Sequence, residues 1–448
     1  MGNITMIGQL IAALAILVTL HELGHFLAAR AFGIKVEKFY LFFDAWGIKL
    51  FKFKKGDTEY GIGWLPLGGY VKIAGMIDES LDTKQLKSEP QAWEFRAKPA
   101  WQRLIVMVAG VVVNLILGIF LFSMGIFGYG DEYLPMKAIN ENGGIAVSEM
   151  GRQFGFETGD KIISANGTQI KKIESLFASD IMLADKIEIE IERNGQVQTL
   201  TMPKDYMNTI SANKNELPFF ARYPLWVDSV LTESPAAKAG LQKGDKIKGF
   251  ILDKDKTVQV QYQDELAPAL NDFANKPIMV MIQRGSNDLS LPIMVDSTLK
   301  LGFLVQNVYA DKVEKVYYGL GESFVLGTTR SFGLIIANAK GLGQVITGKI
   351  KAQNALQGPV AIATYFGKVW DWQRFWNLTA ILSLILAFMN LLPIPALDGG
   401  HVFFLLIEMI IGRPVNEKIM HAAQVAGMII LMALMVFVIG NDIFRLFK

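Results

Sequence analysis

The chain has no cysteine. Disulfides, thiol catalysis and cysteine-ligated zinc are therefore excluded, and any zinc site must be built from histidine and carboxylate. Histidine is also scarce, four in 448 residues. Charge is thin: 19% of residues are charged, the net charge is +2, and Lys and Arg are dispersed rather than striped. Nothing here suits a nucleic-acid backbone, so no nucleic-acid partner is expected. Apolar residues, in contrast, make up 51% of the chain, and the mean hydropathy is +0.31. That balance fits a membrane protein carrying sizeable polar domains.

Four apolar stretches are candidates to span a bilayer: residues 6–31, about 104–127, about 376–392 and about 422–439. The first, second and fourth have the roughly 20 residues needed at 1.5 Å rise to cross a core of about 30 Å. The third is shorter and runs into Pro393 and Pro395, which end or kink it; its other reading is a buried helix of a soluble domain. The segment Met1-Gly2-Asn3-Ile4-Thr5 has no basic residue and the run behind it is long for a signal peptide, so it reads as a retained first span. The lysines from Lys35 to Lys98 place the first loop in the cytoplasm, and Arg413 and Lys418 place the last connection there too. The basic end, Arg445 and Lys448, points the other way.

Between the second and third spans lies an internal repeat. Gly155-Phe-Glu-Thr-Gly-Asp160-Lys-Ile162 matches Gly240-Leu-Gln-Lys-Gly-Asp245-Lys-Ile247 at a constant offset of 85 residues. Each copy ends in an alternating β-branched run, 187–193 before Asn194-Gly195 and 278–284 before Gly285, which predicts strands closed by tight turns. Two copies make two small α+β domains rather than a solenoid. Ser234-Pro-Ala-Ala-Lys-Ala-Gly-Leu241 with the following Lys243-Gly-Asp-Lys-Ile247 resembles bacterial protease-associated PDZ domains, and the first copy lacks the Ser-Pro-Ala stretch. PDZ domains bind extended peptides by adding a strand to a sheet edge; domains that only restrict access are the alternative. Beyond them, residues 320–350 read either as an amphipathic helix on the membrane or as a helix packed on the repeats.

Two of the four histidines stand in His21-Glu22-Leu23-Gly24-His25, an H-E-x-x-H motif inside the first apolar run. On a helix, His21 and His25 share one face and can ligate one ion, with Glu22 beside them to take a proton from water at the metal. A metal-capable cluster at membrane depth is costly unless functional, and the motif in that setting points to cutting peptide bonds within a membrane. A catalytic zinc wants three protein ligands and an open position. The stretch just after His25 offers none. Asp398, in Asn390-Leu-Leu-Pro393-Ile-Pro395-Ala-Leu-Asp398-Gly-Gly-His401, is the strongest candidate, since irregular backbone at membrane depth lines cavities. Capping of the helix that follows is its alternative role. His401 reads as an orienting or structural residue.

With these residues in view, the chain resembles the site-2 protease family of intramembrane zinc metalloproteases. The likeness is closest to its bacterial members with tandem PDZ domains, which regulate sigma-E-type stress signalling. It implies one catalytic Zn2+ held by His21, His25 and Asp398, with Glu22 as general base. It also implies substrate handling by Asn390 and, in Gly68-Gly69-Tyr70-Val71-Lys72-Ile73-Ala74-Gly75, a membrane-associated β-hairpin. Gly69, Tyr70, Val71, Lys72 and Ile73 would hold an unwound substrate by edge pairing. Leu356-Gln-Gly-Pro-Val360 resembles a further family segment. Substrates of this family are single-pass membrane proteins, such as an anti-sigma factor trimmed outside the membrane, or signal-peptide remnants.

The fold class expected is thus a multi-pass α-helical membrane protein of about four transmembrane helices, with two inserted α+β PDZ-like domains and a membrane-associated β-hairpin. The expected divisions are 1–31, 32–100, 101–128, 131–215, 220–306, 307–372, 373–412 and 420–440. The expected location is a bacterial inner membrane, with the PDZ-like domains outside and the active site towards the cytoplasm. Two rivals are a non-catalytic scaffold with a structural metal, which has no need of Glu22, and a metal transporter, whose helices usually repeat as these do not.

Overall fold

The computed structural model describes residues 2–66, 68–76, 89–184, 186–212, 216–253 and 256–446, so Met1 and Lys448 lie outside the described residues. The chain divides into two units: Met1–Gly130 with Tyr317–Lys448, and Asp131–Val316.

The first unit is helical. Its long elements are α1 (Gly2–Ala31), α2 (Ala100–Tyr129), α3 (Leu320–Ile346), α4 (Pro359–Phe366), α5 (Trp372–Leu391), α6 (Asp398–Ile411) and α7 (Glu417–Leu446). Four of them, α1, α2, α5 and α7, are long and apolar enough to cross a membrane. The helix α2 is central, with α1, α3, α5 and α6 all packed on it. Small residues allow the close approach, because apolar side chains gain little over lipid and tight contact does the work. A Cβ on Gly24 would lie 2.7 Å from the Ala109 carbonyl oxygen of α2, and one on Gly118 would lie 2.6 Å from Leu384 of α5. On α3 the buried stripe is Ser323, Gly327 and Ser331, with Gly327 against Ser123 of α2. The 320–350 segment thus contains a helix packed on the second span. Its small-residue stripe docks it on the second span.

Between α1 and α2 lies a four-stranded sheet: β1 (Val36–Leu41), β2 (Lys49–Lys55), β3 (Thr58–Gly63) and β4 (Tyr70–Ile73), ordered β2-β3-β1-β4. The β-hairpin expected at residues 68–75 is a single edge strand instead. The strand β4 pairs antiparallel with β1, and the hairpin of this region is β2–β3, closed at Gly56-Asp57. Phe39, Tyr60 and Phe53 share one face of the sheet, and Phe26 of α1 packs edge-on to Phe39. Glu59 ties the sheet together from below, accepting from Tyr40 Oη at 2.6 Å and Lys49 Nζ at 2.7 Å.

In the second unit each repeat has a four-stranded antiparallel sheet of the same order. The first runs 168–169, 161–165, 188–193, 196–201, and the second 256–259, 246–253, 277–284, 287–294. Each also has a short strand pair, 145–147 with 219–221 and 227–230 with 303–305. Phe219–Ala221 thus pairs back onto Ile145–Val147, carrying the first repeat past residue 215. The repeated Gly-Asp-Lys-Ile has a physical reason. Asp160 and Asp245 are fully buried; each accepts two bonds from an arginine, Arg193 or Arg284, and one from a backbone N–H three residues earlier. Charge-assisted bidentate pairs of this kind satisfy a carboxylate that burial would otherwise penalise. Asn194 and Gly195, at φ 53° and 78°, make the predicted hairpin turn.

Candidate metal centre

His21 and His25 sit one turn apart on α1, both buried, with their rings 4.8 Å apart and edge to face. Their Nε2 atoms are 3.2 Å from each other. Asp398 Oδ2 completes a triangle, 3.1 Å from His21 Nε2 and 3.3 Å from His25 Nε2. Among the described residues, these three form the one group able to hold a metal ion.

The donors fit zinc. Nitrogen and oxygen ligands at about 2.0–2.1 Å in a tetrahedron stand about 3.3–3.4 Å apart, close to the three edges found here. Asp398 Oδ2 is buried with no hydrogen-bond partner, an acceptor aimed at two imidazoles and at whatever cation they share. The Nδ1 of His25 lies 2.8 Å from the Val106 carbonyl oxygen. That oxygen can only accept, so Nδ1 carries the hydrogen and Nε2 presents its lone pair.

Asp398 reaches the histidines because the chain breaks sharply between α5 and α6. Pro393 and Pro395 stop the helix, and Ala396 adopts φ 84°. Gly399 and Gly400 leave room for the turn: a Cβ on either would sit 2.1 Å from the Leu392 oxygen or 2.7 Å from that of Ile394. Asp398 is the first residue of α6, and Leu397 stands at the cap position with no side-chain bond. The helix begins three residues earlier than His401, and Asp398 does not cap it.

Glu22 lies next to the histidines, with the Val71 backbone of β4 beside its carboxylate. That strand passes close to α1, since a Cβ on Gly69 would meet Val18, one turn before His21, at 2.7 Å. Tyr70 stacks on Tyr40 and Phe43 and donates to Asp44 at 2.9 Å; Lys72 pairs with Glu37 at 3.6 Å. Val71 and Ile73 are buried. The far edge of β4 has no strand partner among the described residues. Asn390, at the end of α5, places its Nδ2 3.2 Å from His21 Nε2. His401 faces away, towards Gln424 of α7 at 3.5 Å.

Three contributors were not anticipated from sequence, all on α2: the Val106 carbonyl, Gly110 and Asn114. Only Asn114 left a signal, as the one amide between Leu104 and Phe127. An amide at that depth is unusual without a task.

Comparison with known proteins shows the family of the whole chain. The model of peptidase family M50 matches residues 9–434. The regulator of sigma E protease of Haemophilus influenzae is 30% identical over 464 residues, covering 98% of this chain and 99% of the relative. The protease RseP of Yersinia pestis is 30% identical, covering 97% and 98%. A Vibrio cholerae relative with zinc metalloprotease in its name is also 30% identical, covering 97% and 98%.

Proposed function

This chain belongs to peptidase family M50 and is a membrane-embedded zinc metalloprotease of the site-2 type, and we propose that His21, His25 and Asp398 hold its one catalytic Zn2+ with Glu22 as general base. The observation that carries the ligand set is the triangle of Nε2, Nε2 and Oδ2 with edges of 3.1–3.3 Å. Zinc, when bound, supplies Lewis-acid polarisation of a carbonyl and an acidified water. Glu22 takes the proton of the attacking water and returns it to the leaving amine nitrogen as the peptide bond breaks. Asn390 turns an amide N–H towards the same corner of the site, where it donates to the oxygen of the scissile carbonyl as that oxygen gains charge.

The substrate is a transmembrane segment, which hides its carbonyls in its own helix and has to unwind. The outer edge of β4 offers the freed backbone groups new partners, and Val71 of that strand lies beside Glu22. Gly69, Tyr70, Val71, Lys72 and Ile73 are accordingly the residues that hold the unwound stretch. The sigma E regulators among the relatives support substrates of the anti-sigma-factor kind, and the family resemblance adds signal-peptide remnants. The two repeats are read as PDZ-like domains on the extracytoplasmic side, filtering or docking substrates already shortened there. Lysine-rich β1–β4 and the metal centre belong on the cytoplasmic half.

Purified protein in lipid discs, supplied with a single-pass protein labelled within its span, should cut inside that span. Chelation should stop the reaction, and about one zinc per chain should restore it. Zinc-loaded protein that leaves every such substrate whole, yet carries zinc across vesicle membranes, would replace protease by ion path.

A further inference from the structure

The first ligand shell leaves open what holds the two imidazoles in register, and a single stripe of α2 answers it. Val106, Gly110 and Asn114 are spaced four apart and line one face of that helix, all buried or nearly so. They match the four-residue spacing of His21 and His25 on α1. His25 meets the stripe at Val106, whose carbonyl oxygen lies 2.8 Å from Nδ1. His21 meets it at Asn114, whose amide nitrogen is placed 3.1 Å from Nδ1. Between them, Gly110 leaves the space the rings occupy: a Cβ there would stand 2.4 Å from His25 Nε2 and 2.8 Å from His21 Cε1.

We infer that Asn114 is a positioning residue of the metal centre, which fixes the tautomer and ring orientation of His21. The inference rests on the zinc reading above. A histidine that ligates through Nε2 carries its hydrogen on Nδ1 and so needs an acceptor there. The amide of Asn114 is oriented with nitrogen towards the ring, while its Oδ1 is buried without a partner. Oxygen and nitrogen of an amide are exchanged by a half-turn about the last side-chain bond. Turned so, Oδ1 accepts from His21 Nδ1–H, and Nε2 is left bare towards Asp398 and His25. Asn114 is wholly buried, and its own backbone carbonyl accepts from Ser383 Oγ of α5 at 2.7 Å. Three of the elements around the site, α1, α2 and α5, are thereby joined at one level.

The test measures zinc affinity of the full-length protein by competition with a chelator of known strength, together with cleavage. Asn114→Leu keeps the volume and removes the acceptor; it should weaken zinc about 10–100-fold, as loss of an outer partner does elsewhere, at unchanged helix content. Asn114→Asp supplies a stronger acceptor and should hold zinc at least as tightly as the parent. Asn114→Leu with parental zinc affinity would overturn the inference. Should Asn114→Leu not fold, Asn114→Asp decides alone: zinc weakened more than tenfold there means that Asn114 only packs. His21→Ala separates the two readings. If the parent holds zinc no better than His21→Ala, the zinc reading fails and this inference with it; if the parent holds it and Asn114→Leu equals the parent, only the role of Asn114 fails.

Discussion

At the scale of single residues, the proposed reading gives different work to neighbouring groups. Glu22 ligates nothing in the triangle, so Glu22→Gln should keep the fold and the metal while cleavage falls by about 10²–10⁴-fold, the usual worth of a positioned base. Metal content and turnover measured on one preparation check this, and turnover within a few-fold of the parent would remove Glu22 from the chemistry. Asp398 is the complementary case. Asp398→Asn keeps shape and hydrogen-bonding capacity but loses the anionic ligand, and two histidines leave an ion too few protein donors. Zinc affinity should drop by more than the roughly 10–100-fold typical of an outer partner. A variant with full zinc and full activity would remove Asp398 from the ligand set.

At the scale of elements, α7 matters although it contributes no ligand. Its Gly427 lies against the turn that delivers Asp398; a Cβ there would stand 1.8 Å from the Pro395 carbonyl oxygen, which cannot yield without moving the turn. Gly440 of the same helix faces open space. Gly427→Ala should therefore cost zinc affinity and activity at least severalfold, whereas Gly440→Ala, which adds the same helix propensity, should leave both alone. Equal effects of the two would dissociate α7 from the site. The repeats offer a test of electrostatics. Burial would raise the Asp245 carboxyl, but the Arg284 hydrogen bonds and the Gln242 N–H outweigh it and hold the group below its ordinary 3.8. A carboxyl depressed in the folded state contributes stability that is whole above the unfolded value and is lost as pH falls below it towards the folded one. Hydrogen-exchange protection of residues 246–294, normalised for the acid dependence of exchange itself, should fall below about pH 3.8. Asp245→Asn should show the low protection already at neutral pH; acid-insensitive protection in the parent would contradict the account.

For the whole molecule, the proposed chemistry and the repeat insert lie in separate stretches of chain. Every residue assigned to the metal centre lies in Met1–Gly130 or Tyr317–Lys448, and the insert begins and ends in one antiparallel strand pair, Asp131 opposite Val316. Because those ends are adjacent, replacing 131–316 by a short flexible link should leave zinc binding intact and some cleavage of a pre-trimmed substrate. The same deletion should newly admit substrates whose outer domain is still attached. A folded, zinc-loaded deletion that cuts nothing the parent cuts would make the insert part of catalysis rather than its filter.

The sequence alone determined the features that are local in the chain. Histidines four apart face the same way on any helix; an 85-residue repeat folds twice into the same sheet order; Asn194-Gly195 closes a hairpin wherever it stands. It made Asp398 the strongest candidate for a third ligand, with helix capping left open, and only the family resemblance joined it to His21 and His25 in one ligand set. What it could not supply was contact between elements distant in the chain. Asn114 comes within reach of His21 across 93 residues, and Gly427 presses on Pro395, only because small residues let helices approach to backbone distance. Residues 68–75 read as a hairpin until β1, far upstream, is seen to be the partner of Tyr70–Ile73. The stripe Ser323, Gly327, Ser331 has too little apolar character to announce a buried face, since packing between membrane helices selects small side chains over oily ones. Periodicity reports which face of an element is apolar; which element covers it is decided by the shape of the covering surface, and shape exists only once the chain has folded.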